Sequence, residues 1–241
     1  MISGLLHPRR APSAQDDTPE RVDAFIDSRA LAYPTRIEDE FVQRALSLGV
    51  ENGMILDVGT RTGLIPLKML WQNENFFAIG LDESTMMIDR ARETANAWEL
   101  GERAFFQVGD ARRMRFKTGY FDIVVSDCVL HLFDDAVSVM REIQRVTKPK
   151  GAIFIRDFSR PSRFRMAQRI QTETVRFGKP MKQHIESALR AAYTPQELSR
   201  LASAAGLQGA QLIEMGREYI ALERHGQTDP NSWVKVRENY R

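Results

Sequence analysis

A short glycine-containing turn is the first feature of this sequence that could take part in chemistry. The stretch 57–63 reads Asp-Val-Gly-Thr-Arg-Thr-Gly and follows an apolar run. Glycines in such a turn let a ligand approach the backbone, and a helix that begins there offers free N–H groups. Asp82 ends the next apolar run, where a carboxylate can accept hydrogen bonds from ribose hydroxyls. Together these residues predict a site for a ligand that contains a ribose.

Two further residues could transfer protons. His131 follows the fourth apolar run and Asp157 follows the fifth, which would put both at the edge of a sheet where ligands bind. Histidine commonly acts as a general acid or base, because its ordinary pKa lies near neutral pH. The structural alternatives are a loop or helix-cap role for His131 and an ion pair of Asp157 with Arg156 or Arg160.

The elements that must position these residues alternate along the chain. Apolar runs with little polar alternation indicate strands covered on both faces. They lie at 54–58, 76–81, 104–108, 121–125 and 152–155. Segments with helical spacing lie between them, at 65–72, 84–100 and 134–146. This alternation predicts a parallel sheet with right-handed crossover connections.

Capping residues mark several helix ends. Ser84 is a candidate N-cap for the helix that follows it, and the Pro/Gly segment 147–151 is expected to end the third helix. Thr194 and Glu197 form a capping box for a helix that ends near Gly206. The remaining expected elements are helices within 23–48, a mainly helical insertion at 156–192, and strands at 211–214 and 218–222.

These landmarks resemble those of the class I S-adenosylmethionine (SAM) dependent methyltransferases, of the small-molecule methyltransferase-domain type. The first motif, the ribose acid and the adenine-side acid of that family match, in this order, Asp57 with Gly59 and Gly63, Asp82, and Asp110. The fourth-strand segment matches 121–131, and the helix–Pro–Gly–strand element matches 142–155. The resemblance covers about residues 38–158, and a last helix with two strands extends it to about residue 222.

The resemblance implies a fold, a domain plan and an activity. The expected fold is α/β, a Rossmann-like doubly wound, mostly parallel seven-stranded sheet with helices on both faces and a helical cap. The expected plan is a flexible leader at 1–20, one domain at 21–224 (core 38–158, cap insertion 156–192, closing helix and strands 194–222), and a polar tail at 225–241. The expected reaction is in-line methyl transfer from SAM to a nucleophilic atom of a small molecule, with S-adenosylhomocysteine as the product.

The resemblance also implies roles for single residues. Asp57 would bind the methionine amino group, Asp82 the ribose hydroxyls and Asp110 the adenine amino group. The other residues expected at the cofactor are Gly59, Thr60, Gly63, Glu83, Met87, Ala111 and Ser126. His131 and Asp157 are the candidates for acid–base catalysis. Tyr33 and Arg36 are expected either to form part of a lid or to pack on the surface.

One position departs from the family pattern. Arg61 stands where the family has the middle glycine of its first motif, and a positive φ is costly for a residue with a side chain. Three outcomes stay open. The side chain could turn outward, it could pair with the SAM carboxylate or a substrate anion, or it could obstruct the cofactor.

The composition narrows the class of protein. With 34 basic and 32 acidic residues the net charge is +2, which gives no general attraction to nucleic acid or membranes. No apolar run is long enough to span a bilayer, so we expect a cytoplasmic protein without a membrane partner. The single cysteine, Cys128, excludes an internal disulfide and a multi-thiolate metal site. We expect it to be a small buried residue at a strand end, and we predict no metal site.

Alternative functions remain at this point. The basic segment 156–169 either forms a solvated helix face, with Phe164, Ala167 and Ile170 turned inward, or binds an anionic substrate. It is also the only support for a nucleic-acid methyltransferase. Arg61 breaks the G-x-G-x-x-G spacing of a dinucleotide-binding oxidoreductase. A third possibility is a weakened methyltransferase fold that serves as a binding module. The sequence does not identify the acceptor, and it leaves open whether the protein is a monomer or a homodimer.

Overall fold

The described strands form a single sheet. The computed structural model describes Arg9 and residues 34–174, 179–227 and 236–237. The strands are β1 (Gly53–Val58), β2 (Phe76–Asp82), β3 (Ala104–Val108), β4 (Phe121–Asp127), β5 (Thr147–Phe158), β6 (Gln211–Met215), β7 (Tyr219–Arg224) and β8 (Val236–Arg237). Their order across the sheet is β3-β2-β1-β4-β5-β7-β6-β8.

The sheet is doubly wound, as the sequence predicts. Strands β1 to β5 run parallel, and β7 lies antiparallel between β5 and β6. The chain proceeds outward from β1 to β3 and then returns to β4 on the other side of β1. Ligands bind at the carboxyl ends of strands where the order reverses in this way. The two-residue strand β8 pairs with β6. It is an eighth strand beyond the seven expected, and it lies within the segment that was predicted to be a polar tail.

Helices cover both faces of the sheet. They are α1 (Pro34–Leu46), α2 (Leu64–Gln72), α3 (Thr85–Ala97), α4 (Ala136–Val146), α5 (Arg163–Thr174), α6 (Lys179–Ala191) and α7 (Pro195–Ala205). Side chains alternate along a strand between the two faces. Leu56 therefore packs with the apolar residues of α4 and α7, whereas Ile55 packs with those of α1, α2 and α3.

The predicted helix ends are confirmed. The Ser84 hydroxyl accepts a hydrogen bond from the Met87 N–H at 3.0 Å. Thr194 and Glu197 form the reciprocal bonds of a capping box, and Gly206 ends α7 with a left-handed φ of 68°. These signals are local, so the sequence was sufficient to locate them.

The Pro/Gly segment after α4 differs from the expectation. The helix ends at Val146 as predicted, but Thr147 already begins β5. The pairing with β4 is irregular here, because Phe121 pairs with Thr147 whereas Ile123 pairs with Ala152. Proline has no N–H to donate, and such a bulge is where a strand accommodates it.

The predicted helical insertion is present as α5 and α6. Of the three side chains of α5 that were predicted to face inward, two are exposed. Phe164 is 82% exposed and Ala167 is also exposed, whereas Ile170 is buried as expected. The helix instead buries Met166 together with Ile170, four positions later, against Leu189 of α6. Residues one helical turn apart lie on the same face, which explains this pairing.

Some predictions fall outside the described residues. They include the leader at 1–20 apart from Arg9, Tyr33, and most of the tail at 225–241. The backbone of Arg36 lies in the first turn of α1. No helix in the described part of the chain is long and apolar enough to cross a membrane.

Candidate active site

The glycine turn lies at the carboxyl ends of β1 and β2. The N–H groups of Gly59 and Thr60 both donate to the carbonyl of Leu81, at 2.8 and 3.0 Å. Gly59 and Gly63 each have a φ of 76°. A Cβ atom on Gly59 would lie 2.4 Å from the Val129 side chain, so this position requires glycine. The turn therefore brings the backbone close to β4.

Asp57 is a buried carboxylate near the end of β1. It is 1% exposed, and its Oδ2 has no hydrogen-bond partner among the described residues. Burial raises the pKa of Asp57 to about 7, against the opposing effects of the Thr60 hydroxyl and the Arg61 charge. An unpaired buried charge is costly, so this position is suited to a ligand that brings a cation or N–H donors.

Asp82 is oriented by two backbone groups. Its Oδ2 accepts from the Arg61 N–H at 2.8 Å, and its Oδ1 accepts from the Ser84 N–H at 3.0 Å. A carboxylate offers about four acceptor positions, so these bonds can fix its orientation while it still receives hydroxyl donors. The nearby predicted residues differ in exposure, since Glu83 is exposed and Met87 is half-buried.

Asp110 has a partner that the sequence reasoning missed. The Arg112 guanidinium donates from Nε to Oδ1 at 2.9 Å and from Nη2 to Oδ2 at 3.0 Å. This pairing holds the pKa of Asp110 below its ordinary value. Ala111 beside it is buried. An adenine amino group would have to share the Asp110 carboxylate with Arg112.

Ser126 is used inside the sheet. Its buried hydroxyl donates to the Val58 carbonyl at 3.0 Å and so joins β4 to β1. Its side chain thus has a structural partner, and the predicted contact from its backbone to the cofactor stays a prediction.

His131 and Asp157 form a buried pair. His131 lies in the short 3₁₀ helix Leu130–Leu132, and its Nδ1 is 2.6 Å from Asp157 Oδ1. The His131 backbone N–H donates to Asp157 Oδ2 at 2.8 Å, and the Phe158 N–H donates to Oδ1 at 2.7 Å. An ionised carboxylate only accepts hydrogen bonds, so this contact requires a proton on Nδ1 of His131. In the neutral imidazole, Nε2 then holds the lone pair that can accept a proton. The structure thus brings the two acid–base candidates together.

The alternative partners proposed for Asp157 are wrong. Arg156 is buried, and its Nε donates to Asp127 Oδ1 at 2.8 Å. Its guanidinium also lies over the rings of Phe41 and Tyr219. Arg160 is buried too and pairs with Glu197. The start of the basic segment is therefore not a solvated helix face. Residues up to Phe158 belong to β5, and the side chains of Arg156 and Arg160 are buried.

Arg61 adopts the conformation that is costly for a side chain, with a φ of 51°. Its Nη2 donates to the backbone carbonyl of Asp127 at the end of β4. The side chain is half-buried, so of the three open outcomes the structure does not favour the one in which it turns outward.

Cys128 follows β4, where the structure makes it half-buried with a φ of 54°. Its N–H donates to the Arg156 carbonyl at 2.8 Å. Removal from solvent raises the pKa of the Cys128 thiol, which keeps it protonated at neutral pH. The raised pKa argues against a nucleophile, as expected, but the residue is half-buried and not fully buried as the sequence predicted.

Arg9 reaches the same edge of the sheet from far away in the chain. Its Nη2 donates to the carbonyls of His131 and Phe133 at 3.2 and 3.1 Å, and its Nε donates to Ala191 at 2.9 Å. Its guanidinium lies 4.5 Å from the centre of the Tyr193 ring. Sequence reasoning missed this residue, because it lies outside any periodic segment or motif.

Comparison with known proteins identifies the family of the chain. The family model described as a methyltransferase domain matches residues 50–206. A ubiquinone/menaquinone biosynthesis C-methyltransferase of Geotalea uraniireducens is 28% identical over 158 residues, which cover 59% of this chain and 65% of that protein. A demethylmenaquinone methyltransferase of Deinococcus radiodurans is 29% identical over 138 residues, which cover 51% of this chain and 56% of that protein. The chain thus spans less than two thirds of the length of these relatives.

Solved structures share the fold. A SAM-dependent methyltransferase from Aquifex aeolicus aligns with a TM-score of 0.62 at 20% identity and covers 86% of this chain and 98% of its own. An S-adenosyl-L-methionine-dependent methyltransferase assigned in Methanococcus maripaludis aligns with a TM-score of 0.69 at 16% identity over 96% of this chain and 100% of its own. The family model matches more than half of the residues of this chain. The chain therefore belongs to the methyltransferase domain family.

Proposed function

We propose that this protein is a SAM-dependent methyltransferase that acts on a small-molecule acceptor. The observation that carries the proposal is the buried Asp57 carboxylate, whose Oδ2 lacks a partner among the described residues, next to the glycine turn. A ligand ammonium would satisfy it. The names of the relatives, which include a demethylmenaquinone methyltransferase, support a small-molecule acceptor.

The residues at the carboxyl edge fit SAM. Asp57 would bind the amino group of the methionine end, and Asp82, held by two backbone N–H groups, would bind the ribose hydroxyls. Gly59 and Gly63 allow the turn to lie close to its neighbours. Asp110 would receive the adenine amino group beside Arg112. When bound, SAM supplies a methyl group on a sulfonium with a good leaving group, so the protein must mainly align and desolvate the acceptor.

His131 would act as the base for a protonated acceptor. Asp157 holds the Nδ1–H, so the proton of an acceptor hydroxyl or acidic C–H would be received at Nε2. The buried carboxylate of Asp157 then stabilises the imidazolium that forms. This pair favours an acceptor that must lose a proton during the reaction.

The basic segment gives the nucleic-acid alternative less support than expected, because Arg165 is exposed but three other described cations are bound within the protein. Arg156 and Arg160 are buried in ion pairs, and Arg169 donates to the backbone carbonyls of Ser159 and Glu218. Arg156 joins β5 to β4, and Arg160 and Arg169 bind groups on neighbouring elements, so these three cations are not presented as a phosphate-binding patch.

Calorimetric titration with SAM and S-adenosylhomocysteine tests the proposal. We expect micromolar binding, roughly −8 kcal/mol. Asp82→Ala should weaken binding by about tenfold or more, because it removes a charged acceptor of the ribose hydroxyls. Glu93→Ala, which removes an exposed acid of α3, is the matched control and should leave the affinity unchanged. Absence of binding by the folded wild type would contradict the proposal.

A further inference from the structure

Arg61 keeps a side chain where the backbone favours glycine. Its φ of 51° lies in the left-handed region, and its N–H is fixed by the bond to Asp82. Gly59 and Gly63 in the same turn have no room for a Cβ atom, which would lie 2.4 Å from Val129 and 2.7 Å from Phe106, whereas position 61 accommodates a side chain. Non-glycine residues held in such conformations cluster at ligand sites. A role of the Arg61 side chain in ligand binding would therefore account for the strained backbone.

The guanidinium of Arg61 lies across the carboxyl edge of the sheet. It is anchored on the backbone carbonyl of Asp127, whereas the carboxylate of Asp127 is bound by Arg156. Burial raises the pKa of both Asp57 and Cys128, and the Arg61 charge acts against that rise in each case. Asp57 pairs in register with Val125, two residues before Asp127 on β4, so the Arg61 guanidinium at the Asp127 carbonyl lies at the strand ends that also carry Asp57.

Asp57 and Arg61 supply an acidic and a basic group within the same short segment at the end of β1. A carboxylate complements an ammonium, and a guanidinium complements a carboxylate through parallel N–H···O bonds. An α-amino acid carries both of these groups on one carbon atom.

We infer that Arg61 binds the α-carboxylate of the methionine end of SAM, while Asp57 binds the ammonium, so that the two residues select a zwitterionic amino-acid group. The inference rests on the proposed function. Of the outcomes left open by the sequence, it selects pairing with the SAM carboxylate and makes Arg61 a residue that determines ligand specificity.

A structural role of Arg61 makes a different prediction. If its guanidinium only joined the turn to β4, its loss would weaken every adenosine ligand alike. If it binds the carboxylate, its loss weakens only the ligands that carry that group. The comparison of two ligands therefore separates the roles without any measurement of turnover.

The experiment is calorimetric titration of the wild type, Arg61→Gln and Arg61→Gly with S-adenosylhomocysteine and with its decarboxylated analogue. The wild type should prefer S-adenosylhomocysteine by about tenfold to a hundredfold, since a hydrogen-bonded charge pair is removed from the analogue. Both variants should bind the two ligands with nearly equal affinity. Arg90→Gln, which removes an exposed cation of α3, should keep the wild-type preference.

The outcomes are distinct. Equal weakening of both ligands in a folded Arg61→Gln protein overturns the inference in favour of a structural role. Tighter binding of S-adenosylhomocysteine by Arg61→Gly overturns it in favour of obstruction. A wild type that binds both ligands equally well overturns the inference but leaves the proposed function intact, whereas a wild type that binds neither overturns the proposed function itself.

Discussion

At the scale of single residues, the buried carboxylate of Asp57 destabilises the folded chain when no ligand binds it. Burial raises its pKa from 3.8 to about 7. Between these values the folded state binds a proton that the unfolded state has released, so stability falls as pH rises through this window. The destabilisation is complete above the folded pKa and absent below the unfolded one.

Asp57→Asn should therefore stabilise the protein while it weakens SAM binding. The amide keeps the shape of the side chain but has no charge to desolvate. The gain in the free energy of unfolding should be larger at pH 8 than at pH 5, by about 1–3 kcal/mol, because each pKa unit corresponds to about 1.4 kcal/mol. Urea unfolding at both pH values measures it, with the exposed Asp89→Asn of α3 as the control. A gain that does not vary with pH would refute the explanation.

His131→Ala should lower turnover far more than it lowers SAM affinity. The variant loses the nitrogen that receives the acceptor's proton, and general-base catalysis typically contributes about 10²–10⁴-fold. Steady-state kinetics and titration with S-adenosylhomocysteine measure the two effects separately. His225→Ala is a suitable control, since His225 follows β7 near the opposite, amino end of β5. Equal turnover of His131→Ala and wild type would remove His131 from the mechanism.

At the scale of elements, the turn that carries His131 is held from two sides. Asp157 on β5 accepts the His131 backbone N–H, and Arg9 donates to the carbonyls of His131 and Phe133. The Tyr193 hydroxyl donates to the same Phe133 carbonyl at 3.2 Å. Arg9 thus joins this turn to the end of α6, where it also binds Ala191.

Arg9→Ala should reduce turnover by about tenfold and leave the affinity for S-adenosylhomocysteine almost unchanged, because the lost hydrogen bonds position His131 and are each worth about 1 kcal/mol. Kinetics with the accepted substrate and parallel titrations measure this. Arg141→Ala, which removes an arginine bound to the Ala204 carbonyl on α7, is the matched control. If Arg9→Ala lowered cofactor affinity as strongly as turnover, the positioning role would be wrong.

At the scale of the whole molecule, the sheet order assembles the site. Asp57 on β1 pairs in register with Gly80 on β2 and with Val125 on β4, and Asp157 lies on the next strand, β5. With Asp110 just after β3, the proposed cofactor and acid–base residues therefore lie along five neighbouring strand ends, β3 to β5 in the sheet order. Three arginines are buried in the described part of this frame, namely Arg156, Arg160 and Arg224. Buried Arg224, for example, donates to the carbonyls of Gly151 and Lys148, and burial lowers its pKa to about 10.

The sequence by itself determined the features that depend on neighbouring residues. The glycine turn, the Ser84 cap, the Thr194–Glu197 capping box and the succession of strands and helices all follow from local chemistry and periodicity. These features were sufficient to predict the doubly wound sheet, whose carboxyl edge is the proposed ligand site.

Only the tertiary structure decided which charged groups are partners. Asp157 pairs with His131 and not with Arg156, Asp110 binds Arg112, and the Arg61 side chain turns towards β4. Arg9 contacts a carbonyl 182 positions away in the chain. Several cations compete for each carboxylate, and a difference of an ångström or of one strand register selects among them. No local pattern contains that information, because Coulomb energy and hydrogen bonding depend on distance in space.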